Sequence, residues 1–485
     1  MARSADVAAA PHDLVVVGGG LAGLLAAWRA RRADPTARVV VLESAAAPGG
    51  VVASERHDGF LVERAASSIR RGAAAIHALI EELGLAPELC AAGPAAARRF
   101  VLHRGRLCAA PSGPLSLLAT PLIAPLAKLR LLREPFVARR AGGPHDDETL
   151  ARFIERRFGR GMVAPLLDAV VTGIFAGDPE RLEARSVFPR MVALEERHGS
   201  LVRSLLHREA PPPRPLLAAL RGGTGALVAK LAAALPPDAL RCGVRVTRLA
   251  RAADGTWQID GEQRPGFAAP ERLSWRARQL CLALPAWEAA PLLAPLDGAL
   301  AAELAAIAAA NVAVVAIGVR REQIGADVDA LGFLVPKGER RPLLGVLHES
   351  ALFPERAPAG HVLLRAMVGG ERLALPDDPD AIAQLAFEQV APLLRIDGTP
   401  RLLAAFPHRP GIPQYRPGHA ARLARIDARL AEWPGLLLRG WSYRGIALDD
   451  RAREASAPST TIASPPVNAA GSAARRSPTA SSSRP

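Results

Sequence analysis

The sequence predicts an α/β fold that opens on a βαβ unit, and three observations carry that expectation. Asp13-Leu14-Val15-Val16-Val17 is a short β-branched apolar run of the kind buried in parallel sheets. It stops abruptly at Gly18-Gly19-Gly20, and residues 21–32 then place Ala and Leu at helical spacing. A second apolar run, Val39-Val40-Val41-Leu42, closes the unit at Glu43.

The later elements follow in order. Residues 58–62 suit a short extended segment, and 73–85 a helix ended near Gly84. Residues 114–210 have a helical pattern interrupted by prolines, and 216–235 a Gly-rich start followed by another helix. The stretches 244–251, 256–260 and 279–284 read as strands returning to the first sheet. The stretches 311–319, 332–336, 343–347 and 361–368 read as strands of a different sheet. Helices are expected over 378–394 and 416–431, and a last buried strand over 436–438 leads into Gly440. From Arg451 to Pro485 apolar periodicity stops and Ser, Pro, Ala, Thr and Arg take over, the composition of a disordered tail.

Composition narrows the function classes. The chain has 485 residues, 49% of them hydrophobic, enough for a large core and more than one domain. Its net charge of +14 would suggest nucleic acid or an anionic surface. Only Lys128, Lys230 and Lys337 are lysines, however, and the arginines are dispersed, as a GC-rich genome produces. Nucleic-acid binding is not expected. Cys90, Cys108, Cys242 and Cys281 show no metal-ligand spacing and read as reduced thiols of a cytoplasmic protein. Residues 1–12 lack the apolar core of a secretory signal, and no apolar stretch is long enough to span a membrane. No metal site is expected; His145-Asp146-Asp147 is read as a solvated loop.

Gly18-x-Gly20-x-x-Gly23 between strand and helix is the fingerprint of a Rossmann-type dinucleotide site. Gly18 allows the tight turn, Gly20 lets a pyrophosphate reach the backbone, and Gly23 lets the helix pack on the strand. Glu43, 20 residues after Gly23, stands where an acid accepts the ribose hydroxyls of the adenosine.

Pro48-Gly49-Gly50 and Asp58-Gly59-Phe60-Leu61-Val62-Glu63 extend the pattern. Together with Gly222-Gly223 and Val246 they resemble the FAD-dependent flavoproteins that include amine oxidases, phytoene desaturases and protoporphyrinogen oxidases. The middle of the chain is similar to the protoporphyrinogen oxidase family. The residues that carry this are Asp168 to Glu180, Phe188-Pro189, Glu196-Arg197-His198-Gly199-Ser200, Gly332-Phe333-Leu334-Val335-Pro336 and Ser350-Ala351-Leu352-Phe353-Pro354. Ile412-Pro413-Gln414-Tyr415, Gly418-His419 and the segment Gly440 to Asp450 complete the resemblance, which spans about residues 13–450.

The resemblance implies FAD as cofactor, with Gly49 and Gly50 approaching the flavin and the Val246 backbone meeting the adenine edge. Gly440, Gly445 and Ile446 would form the C-terminal flavin motif. It implies oxidation of protoporphyrinogen IX to protoporphyrin IX with O2, in haem biosynthesis. Coproporphyrinogen III oxidation, a related amine oxidase or desaturase, and an inactive flavin-binding homologue stand as alternatives. For substrate it implies Arg99 facing a propionate, where a solvated surface arginine is the competing role. Ser67 falls close to the flavin and Gly173 where the backbone approaches the macrocycle. Leu334 and Phe353 suit either apolar walls or ordinary core. No side-chain catalyst is expected, because the flavin carries the chemistry.

The implied layout is an α/β architecture with a discontinuous FAD-binding domain (1–75, 214–290 and 400–450). An α+β substrate domain (76–105 and 291–399) and a helical membrane-docking subdomain (106–213) follow, with a tail from 451 to 485. Residues 115–133 carry many leucines with Lys128, Arg130 and Arg133 at one end, and fit either leaflet docking or burial in the substrate domain. The expected setting is cytoplasmic, peripheral on the inner face of the cell membrane, with a downstream chelatase as partner. Three departures mark the chain. Val51 replaces a basic residue, Arg64-Ala65-Ala66 replaces a Gly-Pro or Gly-Ala step, and a tail replaces the helix that relatives continue into after Asp450.

Overall fold

The computed structural model describes residues 10–139, 147–162, 166–204, 217–263 and 269–456. Two seven-stranded sheets organise them. In the first, Leu240–Cys242, Val39–Glu43, His12–Val17, Glu271–Leu282 and Leu436–Leu438 run parallel to one another in that order. The antiparallel strands Trp257–Gln263 and Val244–Arg251 extend from Glu271–Leu282. The continuous Val and Leu runs of the parallel strands are buried on both faces, as crossover helices require. The helix Leu21–Ala33 packs Leu24, Leu25 and Ala27 on one face, while Leu293, Leu300 and Leu304 cover the other.

The second sheet runs Leu402–Pro413, Ala309–Arg320, His361–Gly369, Leu343–Leu347, Gly332–Leu334, Arg99–His103, Arg106–Ala109. Only Gly332–Leu334 and Arg99–His103 pair in parallel. Its strands alternate between two faces. Ala313, Val315, Ile317, Leu364, Ala366 and Val368 pack on the helix Pro379–Leu394 through Ile382, Ala386 and Val390. The other face turns Val314, Ala316, Leu363 and Phe406 toward Phe60 and Val62 of the first domain.

Several expectations need correction. The segment 58–62 is no single strand; Asp58 (φ 47°) and Gly59 (φ 86°) make the tight turn of a hairpin between Ser54–His57 and Phe60–Glu63. Arg104 and Gly105 turn the chain likewise, so Arg106–Ala109 belongs to the second sheet and not to the helical part. Leu402–Pro413 was not expected as a strand, because it holds three prolines. It is tolerated at the sheet edge, where only one side needs donors. This strand belongs to the second sheet, although its residues fall in the segment 400–450 assigned to the FAD-binding domain. The helices Ala74–Glu82, Ala286–Leu293 and Gly298–Ala305 pack in the cores of the first sheet, so the boundaries at 76 and 291 also move. Leu217–Leu220 is a strand ahead of the helix Gly225–Ala233.

The tail begins later than expected. A helix runs Leu448–Ala455, burying Ala452 and Ala455 against the first core. Its Asp449 accepts a hydrogen bond from Ile76 N at 3.0 Å, capping the helix Ala74–Glu82. The helix expected after Asp450 by resemblance is thus present in this chain, and residues 457–485 of the tail lie outside the described residues.

Candidate functional site

The first candidate site lies at the C-terminal ends of the parallel strands, where open α/β sheets bind ligands. Gly18 has φ +104°, and a Cβ there would stand 2.7 Å from Ala283 O. A Cβ on Gly23 would stand 1.9 Å from Gly18 O, so the helix can sit against the turn only with glycine. Gly20 differs: a Cβ there would meet nothing closer than Gly49 O at 3.9 Å. Gly20 also begins the helix Leu21–Ala33 with no side-chain cap and no acid in its first turn. The helix N-terminus therefore presents free N–H groups to open space, a fit for a pyrophosphate.

The second glycine pair lies on the first. Gly20 and Gly49 form a parallel bridge, Gly49 N donates to Gly19 O at 2.9 Å, and Gly49 (φ +131°) and Gly50 (φ +59°) hold backbone that favours glycine. Glu43 is buried; its carboxylate accepts from Gly19 N at 2.6 Å and Ala45 N at 2.7 Å, leaving lone pairs for a ligand's hydroxyls. Val51 packs its side chain against the first core, which explains an apolar residue there. Val246 is half-buried at a β-bulge, on the chain that continues from Cys242, the partner of Glu43.

Gly440 (φ +137°) follows the last parallel strand; a Cβ there would stand 3.5 Å from Leu284 O, and its N–H donates to Glu454 at 3.2 Å. Gly445 (φ +87°) leaves no room for a side chain, since a Cβ would fall 2.2 Å from Asp450 Oδ2. Ile446 packs with the cluster of Phe175 and Tyr415. Arg451 holds the carbonyls of Arg444 and Gly445 at 3.0 and 2.9 Å, and Tyr415 donates to Trp441 O at 2.5 Å.

The second candidate site is the sheet face that looks toward the first domain. Arg99 pairs with Gly332, and Val101 with Leu334, so Arg99 and Leu334 share that face. Gly173, on the helix Asp168–Phe175, comes against Leu334: a Cβ there would lie 2.5 Å from its Cδ2. The helix is held on the sheet by Asp168, which accepts from Lys337 N, and by Arg372, which donates to Thr172 Oγ1 at 2.6 Å. Burial raises the pKa of Asp168, against the pull of Lys337 N–H and Arg372. Arg99 is exposed, and its guanidinium makes no ion pair or hydrogen bond among the described residues.

Two of the expected residues stand away from that sheet face. Phe353 is buried with Ala92, Ala95, Ala96 and Leu352, and the Arg356 guanidinium stands 4.6 Å over its ring. Of the two roles open to Phe353, this is core packing. Ser67 is buried and its carbonyl accepts from Arg356 at 2.7 Å.

Sequence reasoning missed a buried charge cluster between the two sites. Glu63 accepts from Ser54 Oγ at 2.7 Å, Thr224 N at 2.9 Å, Thr224 Oγ1 at 2.7 Å and Arg356 at 3.2 Å. Arg356 also pairs with buried Glu349. Burial raises the pKa of Glu63, and Arg356 with the hydroxyl bonds partly offsets it. The available signal was a charge in phase with apolar neighbours, as in Leu363-x-Arg365-x-Met367, and a Pro-Glu-Arg step after an apolar run.

The leucine-rich stretch is partly buried and partly exposed. Prolines start its helices, Pro114–Ala119 and Pro125–Leu131, instead of breaking them. Leu122, Ile123 and Ala127 are buried with Val101 and Leu334. Leu115, Leu118, Leu126, Leu129, Leu132 and Phe136 face outward, with Leu115 84% and Phe136 82% exposed. Lys128 is tied to the carbonyls of Leu118 and Thr120 at 2.6 and 2.8 Å. Among the described residues no helix is long and apolar enough to cross a membrane, and no cluster of three or more His, Cys, Asp or Glu could hold a metal. His145 and Asp146 lie outside the described residues.

Comparison with known proteins places this geometry. Residues 21–424 match the family described as flavin containing amine oxidoreductase. The chain is 32% identical over 474 residues to protoporphyrinogen oxidase of Bos taurus, covering 90% of this chain and 96% of that one. It is 30% identical over 482 residues to coproporphyrinogen III oxidase of Propionibacterium freudenreichii subsp. freudenreichii, covering 90% and 88%. A solved structure from Exiguobacterium sp. 255-15 superposes with a TM-score of 0.78 at 25% identity, covering 92% of this chain and 97% of that one.

Proposed function

The chain belongs to the flavin containing amine oxidoreductase family and is an FAD-dependent oxidoreductase, and from that premise we propose that it oxidises a porphyrinogen. The preferred reaction is protoporphyrinogen IX to protoporphyrin IX with O2 as electron acceptor. The observation that carries it is a sheet face with one unpaired guanidinium, an apolar wall and a glycine, opposite the nucleotide-binding unit. Coproporphyrinogen III is the second reading, favoured by the likeness to enzymes of that name.

FAD fits the residues present. Gly18, Gly20, Gly23 and Glu43 would hold the adenosine and pyrophosphate, with Val246 beside the adenine; Gly49, Gly50, Gly440, Gly445 and Ile446 would hold the remainder. When bound, FAD supplies a two-electron acceptor for the saturated bridging carbons and passes the electrons to O2. The chain's own residues bind and orient. Arg99 offers a planar fork to a propionate, Leu334 gives an apolar wall, and Gly173 lets a macrocycle approach backbone. No side-chain base is needed, because the oxidised substrate can shed a pyrrole N–H proton.

The outward leucines and Phe136 support peripheral docking on the inner face of the cell membrane. They sit on helices whose inner side packs behind Leu334, so an apolar product would leave beside that surface. The product is a metal-free porphyrin, which makes a chelatase the natural downstream partner. We propose a division into a nucleotide domain around the first sheet, a substrate domain around the second, and the helical part between them.

The test offers protein reconstituted with FAD both porphyrinogens, prepared without oxygen and then aerated against an enzyme-free control. Porphyrin fluorescence above that control is expected. If neither porphyrinogen fluoresces while an amine yields peroxide, the porphyrinogen reading is wrong. Protein that stays colourless after incubation with excess FAD would make the chain an inactive homologue.

A further inference from the structure

Four successive carbonyls link the two candidate sites. Residues 64–67 join the strand Phe60–Glu63 to Ile69–Arg70, and every one of their carbonyls is taken by a side chain from a distant part of the chain. His408 Nε2 donates to Arg64 O at 2.8 Å, and Arg365 Nη2 donates to Ala65 O. Thr224 Oγ1 donates to Ala66 O at 2.9 Å, and Arg356 Nη2 to Ser67 O at 2.7 Å. Burial and the charges of Arg64 and Arg365 push the pKa of His408 down, so it serves as a neutral donor.

Of the segment's four backbone donors only Arg64 N is used, on Ala53 O at 3.0 Å. The N–H groups of Ala65, Ala66 and Ser67 make no hydrogen bond among the described residues. Partly buried backbone N–H groups without acceptors are costly unless a ligand satisfies them. A strap whose acceptors are spent and most of whose donors are free is complementary to a group rich in acceptors. The rim of a flavin ring is such a group, with two carbonyl oxygens and two ring nitrogens as acceptors against a single N–H donor.

Arg365 has a special place in this arrangement. It stands on the face turned toward the first domain, in phase with Leu363 and Met367, and its Nε is buried without a partner. The neighbouring carboxylates Glu63 and Glu349 are both paired to Arg356, leaving that triad one negative charge in excess. Arg365 supplies the balancing positive charge directly on the strap.

We propose that Arg365 is a positioning residue for the flavin: it fixes the strap 64–67 so that its free N–H groups meet the acceptor rim of the ring. Its charge makes the bound ring easier to reduce. This rests on the reading of the chain as an FAD protein. A positive charge near the ring favours the electron-rich reduced form, so removing Arg365 exposes the ring to the excess negative charge of the triad and disfavours reduction.

Two measurements on Arg365→Met and Arg365→Lys test it. In FAD-free protein, hydrogen exchange of the Arg64 N–H, bonded to Ala53 O at 3.0 Å, should accelerate at least tenfold in Arg365→Met, because the strap loses one tie. In the holoprotein, the reduced-to-oxidised flavin ratio at a fixed reference-dye potential should fall at least tenfold in Arg365→Met. Arg365→Lys should restore most of that ratio. Unchanged exchange overturns the tie, and a flavin ratio within twofold of wild type overturns the positioning role even if exchange accelerates. Should Arg365→Met not fold, Thr224→Val frees Ala66 O and also removes a donor from Glu63, so it is read on hydrogen exchange alone, with a threefold change expected and an unchanged value overturning the proposal. Wild-type protein that takes up no flavin overturns the FAD reading itself, an outcome separate from the other two.

Discussion

Arg99 carries the most direct consequence at the scale of single residues. Replacing it with Ala removes one charge-assisted contact, worth about 1.5–3 kcal/mol, so KM for a porphyrinogen should rise about tenfold or more while kcat changes little. Steady-state kinetics identical to wild type would return Arg99 to the solvated surface. Two glycine substitutions should separate sharply. Gly23→Ala drives a Cβ to 1.9 Å from a backbone carbonyl, so the protein should lose its retained flavin absorbance. Gly173→Ala meets only the flexible end of Leu334, so flavin should remain and KM alone should shift. Retained flavin in Gly23→Ala would mean the turn can open without cost. The glycines and Glu43 were legible in the sequence because each is demanded locally by the turn and the strand end beside it. Glu63, Arg356 and Arg365 were not, because their partners lie up to 300 residues away along the chain and no local spacing records that.

At the scale of elements, the helices Pro114–Ala119 and Pro125–Leu131 make the clearest forecast. Their outer leucines have no apolar partner among the described residues, and lipid would provide one at about 25 cal/mol per Å² buried. A Leu126→Asp, Leu129→Asp double variant should therefore sediment far less with anionic vesicles than wild type, with its thermal unfolding unchanged. Equal sedimentation of both proteins would assign the patch to something other than lipid. The strands of both sheets were largely readable, since alternation or continuous Val and Leu runs announce them. Leu402–Pro413 escaped because proline argues against a strand wherever edge position is unknown. The helix Leu448–Ala455 escaped because its eight residues hold five charges and two alanine anchors, too little apolar pattern to stand out beside a Ser/Pro-rich stretch. Its evidence is tertiary: Asp449 capping another helix and Ala452 filling a gap in the first core.

At the scale of the whole molecule, stability should respond to acid through two buried histidines. Burial pushes His348 and His419 down to about 4, despite their bonds to Val328 O and Tyr443 O. Their unfolded value is about 6.5. Folding holds them neutral, so the stability they confer is complete above about pH 6.5 and is lost as pH falls toward 4. Each shift is worth at most about 3 kcal/mol. Glu63 and Glu454, raised by burial, act in the opposite sense, so the comparison should be made against a variant. His419→Phe keeps the ring stack on Tyr415, at 4.3 Å, without a titrating group. Denaturant midpoints should show wild type losing its advantage over His419→Phe between pH 7 and pH 5; a constant gap would refute the assignment. The order of strands in the first sheet bears on biosynthesis as well. Leu436–Leu438 lies against Glu271–Leu282, and Leu448–Ala455 covers helices made near the start of the chain. While the ribosome is still translating the second sheet, the underside of the nucleotide-binding unit stays bare, an exposure that invites chaperone attendance. That sheet cannot be completed before the final strand clears the exit tunnel.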